Sequence, residues 1–365
     1  MNMEPSINGR VESLPKNLYF PRATTAIYAA LKSFSSSGKI IIPSTICLDP
    51  IFASHFANYQ PVFVGVDGFQ LALKKVIKML DNDSEINAVL LPFLYGYQIE
   101  GLEEFWNQIN SREILVIEDL AQTLGPSNFI GPQGRAKLVT VHSYGKGKII
   151  DSHRLGIAST SDLELYSAMK SLCPRDLLIS EESYRFLELE YRRVYELFLK
   201  SDSHEESWHN FYETVWDSDP RLFVPFLARP FESLPSFKVK HLHWADLESR
   251  NKRHSELLDL FREYQGAVLP SNSDSRRPIW RTTIRLPNSE RNALYNYLNS
   301  NGFFVSKWYK AMHRYVPSFL AQNNTDLKSA EIFEDEVINF KIDGTMNDKT
   351  FNLYIKAINN WISNR

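Results

Sequence analysis

Two short polar clusters, each directly after an apolar run, hold the residue types with the most chemistry in this sequence: Glu118-Asp119-Leu120-Ala121-Gln122 and Ser143-Tyr144-Gly145-Lys146-Gly147-Lys148. The runs before them, Ile114 to Ile117 and Leu138 to Val141, are apolar and β-prone, the pattern of strands covered on both faces in a parallel sheet. Polar groups just beyond the carboxyl ends of such strands stand where open α/β sheets bind their ligands. An acid, an amide, a hydroxyl and an amine could therefore converge there. An amine can condense with an aldehyde, and a carboxylate can keep a pyridine nitrogen protonated so that the ring accepts electrons. That pair suits pyridoxal phosphate, with a strand-end hydroxyl to hold the phosphate.

The segment Glu118 to Gly125 resembles the acidic segment of the DegT/StrS-type sugar aminotransferases, and Ser143 to Lys148 resembles their lysine segment. In that family the cofactor lysine lies five residues after the serine and about eight before a closing glycine, and Lys148 meets both spacings, to Ser143 and to Gly156. The resemblance implies that Lys148 binds the cofactor and shuttles the proton, that Asp119 holds the pyridinium, that Gln122 contacts the ring on its hydroxyl side, and that Ser143 binds phosphate.

Upstream, Arg22-Ala23-Thr24-Thr25 precedes an Ala-rich helical stretch that runs to Leu31. Thr24 or Thr25 then lies in a first helical turn, where free backbone N–H groups attract phosphate, or caps the helix. This stretch is similar to the family's amino-terminal phosphate turn, with Ala23 and Thr24 at its Gly-Thr positions. Two β runs, Lys39 to Ile42 and Pro61 to Val66, flank a helix at Asp49 to Tyr59, and Pro43-Ser44-Thr45-Ile46-Cys47 resembles the segment whose last residue stacks on the cofactor ring, here Cys47. A helix at Leu71 to Leu80, a strand at Ala88 to Phe93 and a helix at Gly101 to Asn110 complete three β-α repeats, and Tyr95 and Tyr97 read as packing aromatics.

Beyond Gly156, helices are expected at Asp162 to Leu172 and Glu181 to Lys200, with a solvated break at Ser201 to Glu206. The family's Gly- and Asn-containing stretch, through which one subunit reaches its neighbour's cofactor, is not found between Cys173 and Leu234, which leaves Lys238 and Lys240 as basic alternatives. His241 to Tyr264 reads as a long bridging helix. Trp280 to Leu286 alternates like a strand, Asn288 to Asn301 is helical, Phe303 to Ser306 is β-like, and Phe351 to Ile362 is an amphipathic helix. The strand-helix-strand unit, with Trp308-Tyr309, resembles the family's small domain. His313, near several aromatics, reads as structural.

The 365 residues, 43% of them apolar, suffice for a large core, and a net charge of −2 with dispersed basic residues argues against a nucleic-acid surface. Two cysteines and no zinc-spaced Cys/His cluster fit a reducing compartment without a structural metal. No run approaches the roughly 20 apolar residues of a membrane span.

The expected fold is α/β, the type I aminotransferase fold. It has a large domain over 1–235 with a mostly parallel sheet of seven-stranded type and a divergent helical segment at about 161–235, then a bridging helix and a small α+β domain over 236–365. The resemblance implies a cytoplasmic homodimer that uses pyridoxal phosphate to move an amino group, with L-glutamate as donor and a nucleotide-linked keto sugar as acceptor, in cell-surface polysaccharide or secondary-metabolite biosynthesis. It leaves open another pyridoxal-phosphate reaction, such as dehydration or amino transfer to a non-sugar ketone, and a non-catalytic binding relative.

Overall fold

The computed structural model describes residues 15–124, 134–145, 147–151, 154–172, 174–200, 219–227, 244–271, 277–316, 321, 326–343 and 346–365. Its centre is a seven-stranded sheet in the order β1-β9-β8-β7-β6-β2-β3. The strands are β1 Lys16–Phe20, β2 Gly38–Pro43, β3 Tyr59–Val64, β6 Ile86–Pro92, β7 Leu115–Asp119, β8 Lys137–Ser143 and β9 Gly156–Thr160, while β4 Val66–Asp67 with β5 Gln70–Leu71, and β10 Leu178–Ile179 with β11 Phe226–Leu227, form two separate short ribbons. From β3 through β8 the pairings are parallel, while β9 pairs antiparallel with both β8 and β1.

Apolar runs without polar alternation become central strands because both faces are covered. In β2, Ile40 and Ile42 pack into the core on one side and Ile41 into the core on the other, and all three are fully buried. The same division holds for Leu115 and Ile117 against Val116 in β7, and for Ala88 and Leu90 against Val89 and Leu91 in β6. One face is covered by α1 Ala23–Phe34, α2 Leu48–Phe56, α5 Leu163–Ser171 and α6 Glu181–Lys200; the other by α3 Leu73–Asn82 and α4 Leu102–Ile109. The expected β-α repeats are all present, with ends shifted by a few residues.

Two sheet strands are additions to the sequence reading. β1 is a short edge strand whose partner, β9, follows more than 130 residues later, so its pairing is a tertiary fact that no local pattern announces. β9 also explains the spacing from Lys148 to Gly156. A Cβ at Gly156 would stand 2.4 Å from the carbonyl carbon of Arg22 and 2.5 Å from the amide nitrogen of Ala23, so a residue without a side chain lets the start of α1 rest on the sheet beside Ser143, its strand partner.

After α7 Trp244–Phe261 comes a three-stranded antiparallel sheet in the order β12-β14-β13, from β12 Arg281–Arg285, β13 Val305–Ser306 and β14 Val337–Lys341. α8 Asn288–Ser300, α9 Lys328–Glu336 and α10 Asp348–Ser363 belong to the same part of the chain. α10 buries Phe351, Tyr354, Ile358 and Trp361, a three-and-four spacing on one face, and the Asn347 side chain accepts from Thr350 N at 2.8 Å to cap it. The core of this unit includes Leu257, Phe261, Ile284, Leu294, Ile338 and Phe340. The boundary expected at 235/236 lies outside the described residues, as do Ser201 to Glu206, Lys238, Lys240 and Lys146.

Candidate active site

The ends of β2, β7 and β8, the start of α1 and the first strand of the C-terminal sheet meet at a cleft of about 410 Å³. Ala23, Thr24, Cys47, Asp119, Ser143 and Lys148 all line it. Gln122 does not. Its Oε1 accepts from the backbone N–H of Tyr95 at 2.6 Å and its Nε2 donates to the phenol oxygen of Tyr309 at 2.7 Å, so both halves of the amide are used behind the wall. Tyr309 itself lines the cleft, and Gln122 acts on the site through it.

Asp119 is the last residue of β7. Its main chain is held by Phe93 N–H, which donates to its carbonyl at 3.0 Å, and its Oδ1 accepts from Ala121 N–H at 2.9 Å. Burial pushes its carboxyl up from the ordinary value, opposed by the Ala121 N–H and by the charge of Lys148. Lys148 sits past Gly147, whose φ of +78° is the left-handed region that glycine enters freely. The Lys148 ammonium stands 5.5 Å from the centre of the Trp280 ring. The indole N–H of Trp280 donates to the Gly147 carbonyl at 2.9 Å, and its backbone N–H to Tyr95 O at 2.8 Å, which ties the C-terminal sheet to the lysine loop.

At the other end of the cleft, the first turn of α1 begins at Ala23 with Arg22 as N-cap. No side chain among the described residues caps this helix, which leaves its first amides to face an anion. Asp49, near the start of α2, collects the local donors. It accepts from Thr24 Oγ1 at 2.7 Å, from Tyr191 O–H at 2.7 Å and from Arg22 at 3.3 Å. The Arg22 guanidinium also lies 3.6 Å from the centre of the Tyr191 ring. Burial pushes the Cys47 thiol up, and the Asp49 carboxylate adds to it, so the residue is a neutral thiol rather than a thiolate nucleophile.

Tyr95 and Tyr97 are buried packing residues as expected. The Tyr95 hydroxyl donates to Trp308 O at 2.7 Å, and the Tyr97 hydroxyl accepts from Thr283 N–H at 2.8 Å. His313 joins Ser44 Oγ at 2.6 Å to Glu331 at 3.2 Å and does not line the cleft. Arg22, Asp49, Tyr191, Trp280 and Arg281 line the cleft without having been singled out as site residues from sequence. An arginine before the first helical turn was the one available signal; the others arrive through tertiary packing.

The arrangement sets an amine and a half-buried carboxylate in one cleft with an N-terminal helix turn, a serine hydroxyl and an arginine. These are the groups needed to hold an aromatic aldehyde that carries a phosphate.

No protein-family model matches the sequence, and no curated protein matches it. Solved structures do match in fold. The sugar aminotransferase CalS13 from Micromonospora echinospora superposes with a TM-score of 0.66 over 94% of this chain and 87% of that one, at 14% identity. A DegT DnrJ EryC1 StrS aminotransferase from Brucella abortus gives 0.65 over 96% and 86%, at 14% identity. NtdA from Bacillus subtilis, solved with the cofactor PMP bound, gives 0.64 over 95% and 73%, at 12% identity.

The chain has the type I aminotransferase fold. The cleft is lined from the seven-stranded sheet by Asp119 and Ser143 and from the three-stranded sheet by Arg281.

Proposed function

We propose that this protein is a pyridoxal-phosphate-dependent aminotransferase, with L-glutamate as amino donor and a nucleotide-linked keto sugar as acceptor. The observation that supports it is the convergence of the Lys148 amine and the half-buried Asp119 carboxylate in one cleft, with a helix start at the far end. Asp119 would hold the ring nitrogen, Cys47 would lie against the ring, and Ser143, the amides at Ala23 and Thr24, and Arg22 would hold the phosphate. Thr24 would add its hydroxyl once Asp49 releases it. Bound there, the cofactor supplies an electron-accepting ring.

Lys148 would take and return the substrate's proton, as a primary amine beside the reacting carbon can do. Asp119 would stay charged against a pyridinium, because an opposite charge offsets the burial that otherwise raises its pKa. Gln122 holds the Tyr309 hydroxyl and so fixes one wall. The keto-sugar acceptor follows from the sequence resemblance and from the fold shared with an enzyme described as a sugar aminotransferase.

The unit divides, in this reading, at about residue 235 into a cofactor-binding part and a C-terminal part. The enzyme is a cytoplasmic homodimer, and α6 supports that assembly. Its Tyr191 and Tyr195 line the cleft, while Phe186 and Leu189 on the same helix are 63% and 64% exposed, an apolar stripe suited to a second copy. No helix among the described residues is long and apolar enough to cross a membrane.

The test separates the two half-reactions. Purified holoenzyme mixed with L-glutamate should lose the absorbance of its aldehyde-form cofactor, and nucleotide-linked 3-keto or 4-keto sugars should restore it. Conversion by glutamate without restoration by any keto sugar would remove the sugar assignment and keep amino transfer.

A further inference from the structure

An amino acid that reacts at Lys148 carries its carboxylate one bond from the reacting carbon, so that anion must meet a cation beside the lysine. The cleft is lined by five cationic side chains among the described residues: Arg22, Lys148, Arg154, Arg192 and Arg281. Three of them are paired. Arg22 faces Asp49 at 3.3 Å, Arg154 faces Glu181, and Arg192 faces Glu188 at 2.5 Å. Lys148 is reserved for the chemistry.

Arg281 is different. It opens β12, is only 9% exposed, and its Nε and Nη1 have no hydrogen-bond partner among the described residues. What surrounds it is aromatic. Its guanidinium carbon lies 4.7 Å from the centre of the Trp280 ring, 4.7 Å from that of Trp308 and 5.3 Å from that of Phe304. The two indoles stack on each other with 5.6 Å between centroids and 13° between planes. Ring faces stabilise a cation but accept no strong hydrogen bonds, so the guanidinium is held while its Nε and Nη1 donors stay unsatisfied among the described residues. A buried charge in that condition is costly to the fold, and a carboxylate ligand removes the cost.

The position is also the right one. The ammonium of Lys148 and the guanidinium of Arg281 both lie against the indole of Trp280. We propose that Arg281 is the carboxylate-binding residue of this cleft, holding the α-carboxylate of the amino donor by a two-pronged guanidinium–carboxylate pair beside the Trp280 indole. The assignment rests on the aminotransferase reading for its donor and on the cleft alone for its chemistry, a carboxylate. The anion could instead belong to the acceptor, and the measurement distinguishes the two.

The first measurement needs no turnover: calorimetric titration of the purified holoenzyme with glutarate, a dicarboxylate without an amine. Glutarate should bind the native enzyme, and R281Q should weaken it about tenfold or more, as expected for loss of a charge-assisted pair. R281K, which keeps a charge but not the fork, should fall between them. Cofactor absorbance and thermal melting establish that each variant is folded, and if R281Q is not, R281K carries the comparison. In single-turnover spectra, R281K should raise the half-saturating concentration of L-glutamate by a factor well above its effect on the keto-sugar arm.

Equal glutarate affinity in native enzyme and variants, or a native enzyme that does not bind glutarate, overturns the assignment. So does a shift confined to the keto-sugar arm. Failure of every amino acid to change the native spectrum would remove the aminotransferase reading while the glutarate titration still decides on Arg281.

Discussion

The indole N–H of Trp280 donates to the carbonyl oxygen of Gly147 at 2.9 Å, and Lys148 is the next residue. Trp280 directly precedes β12, so the start of a strand of the C-terminal sheet is tied to the loop that carries Lys148. Trp280→Phe keeps an aromatic face for Lys148 and Arg281 while removing the indole donor and part of the ring. It should lower kcat/KM about fivefold, the effect of one neutral hydrogen bond worth about 1 kcal/mol, with a comparable loss of stability. Steady-state kinetics with L-glutamate and a melting curve check both. Unchanged kinetics would mean that the loop needs no such tie.

Asp119 carries a carboxyl raised chiefly by burial, and its sign can be read in the apoprotein. A carboxyl whose folded value lies above the unfolded one binds its proton more tightly in the native state. Its penalty is therefore absent at low pH and acquired as the pH rises from the unfolded value through the folded one. Apoprotein D119N should lack that loss and gain on the wild type as the pH rises above the ordinary carboxylate range in denaturant titrations. In holoenzyme the carboxylate would have a cationic partner, and the same substitution should cost about 10²- to 10³-fold in turnover, as for a broken ion pair. A variant with wild-type turnover would make Asp119 an ordinary strand-end acid.

His254 gives a second pH dependence, independent of the cleft. It is buried, its Nδ1 lies 3.1 Å from Thr282 Oγ1, and burial pushes its pKa down to about 4. A depressed histidine contributes stability that is present above its unfolded value of about 6.5 and lost as the pH falls through the folded one. About 3 kcal/mol should be lost between pH 6.5 and 4 on this account. In H254Q that part of the slope should vanish, as chemical denaturation at several pH values would reveal. An identical slope in the variant assigns the loss to other groups.

Arg22 and Asp49 should act in opposite directions on the phosphate. R22Q removes a cation from the α1 start and should weaken pyridoxal phosphate about tenfold relative to pyridoxal, while D49N removes a competing carboxylate and frees Thr24 and Arg22, which should strengthen it. The ratio of the two cofactors' affinities isolates the phosphate. If D49N weakens that ratio, Asp49 orients the donors instead of competing for them.

Much of the fold was legible in the sequence because central strands and their crossover helices write themselves locally. The uninterrupted apolar run at Ile114 to Ile117 and the Ala-rich stretch after Arg22 each admit one good structure. Of the site, the residues at strand ends were legible for the same reason: a polar group directly after such a run has only one place to be. The partners of Gln122 were not legible, because position along the chain does not reveal that Tyr95 and Tyr309 take both halves of its amide. Arg281 and Trp280 were read only as the start of an alternating strand. What distinguishes them is that Nε and Nη1 of Arg281 have no hydrogen-bond partner among the described residues and that Trp280 has a distant one, and both are properties of the packed chain.

The central claim is that Lys148 is the residue to which the cofactor is bound. Purified holoenzyme should be reduced with borohydride, digested and mapped by mass spectrometry. The account predicts the pyridoxyl group on Lys148, and a K148A protein whose cofactor is removed by dialysis. A pyridoxyl group on Lys146 or any other lysine, or a native protein that retains no cofactor at all, would contradict it.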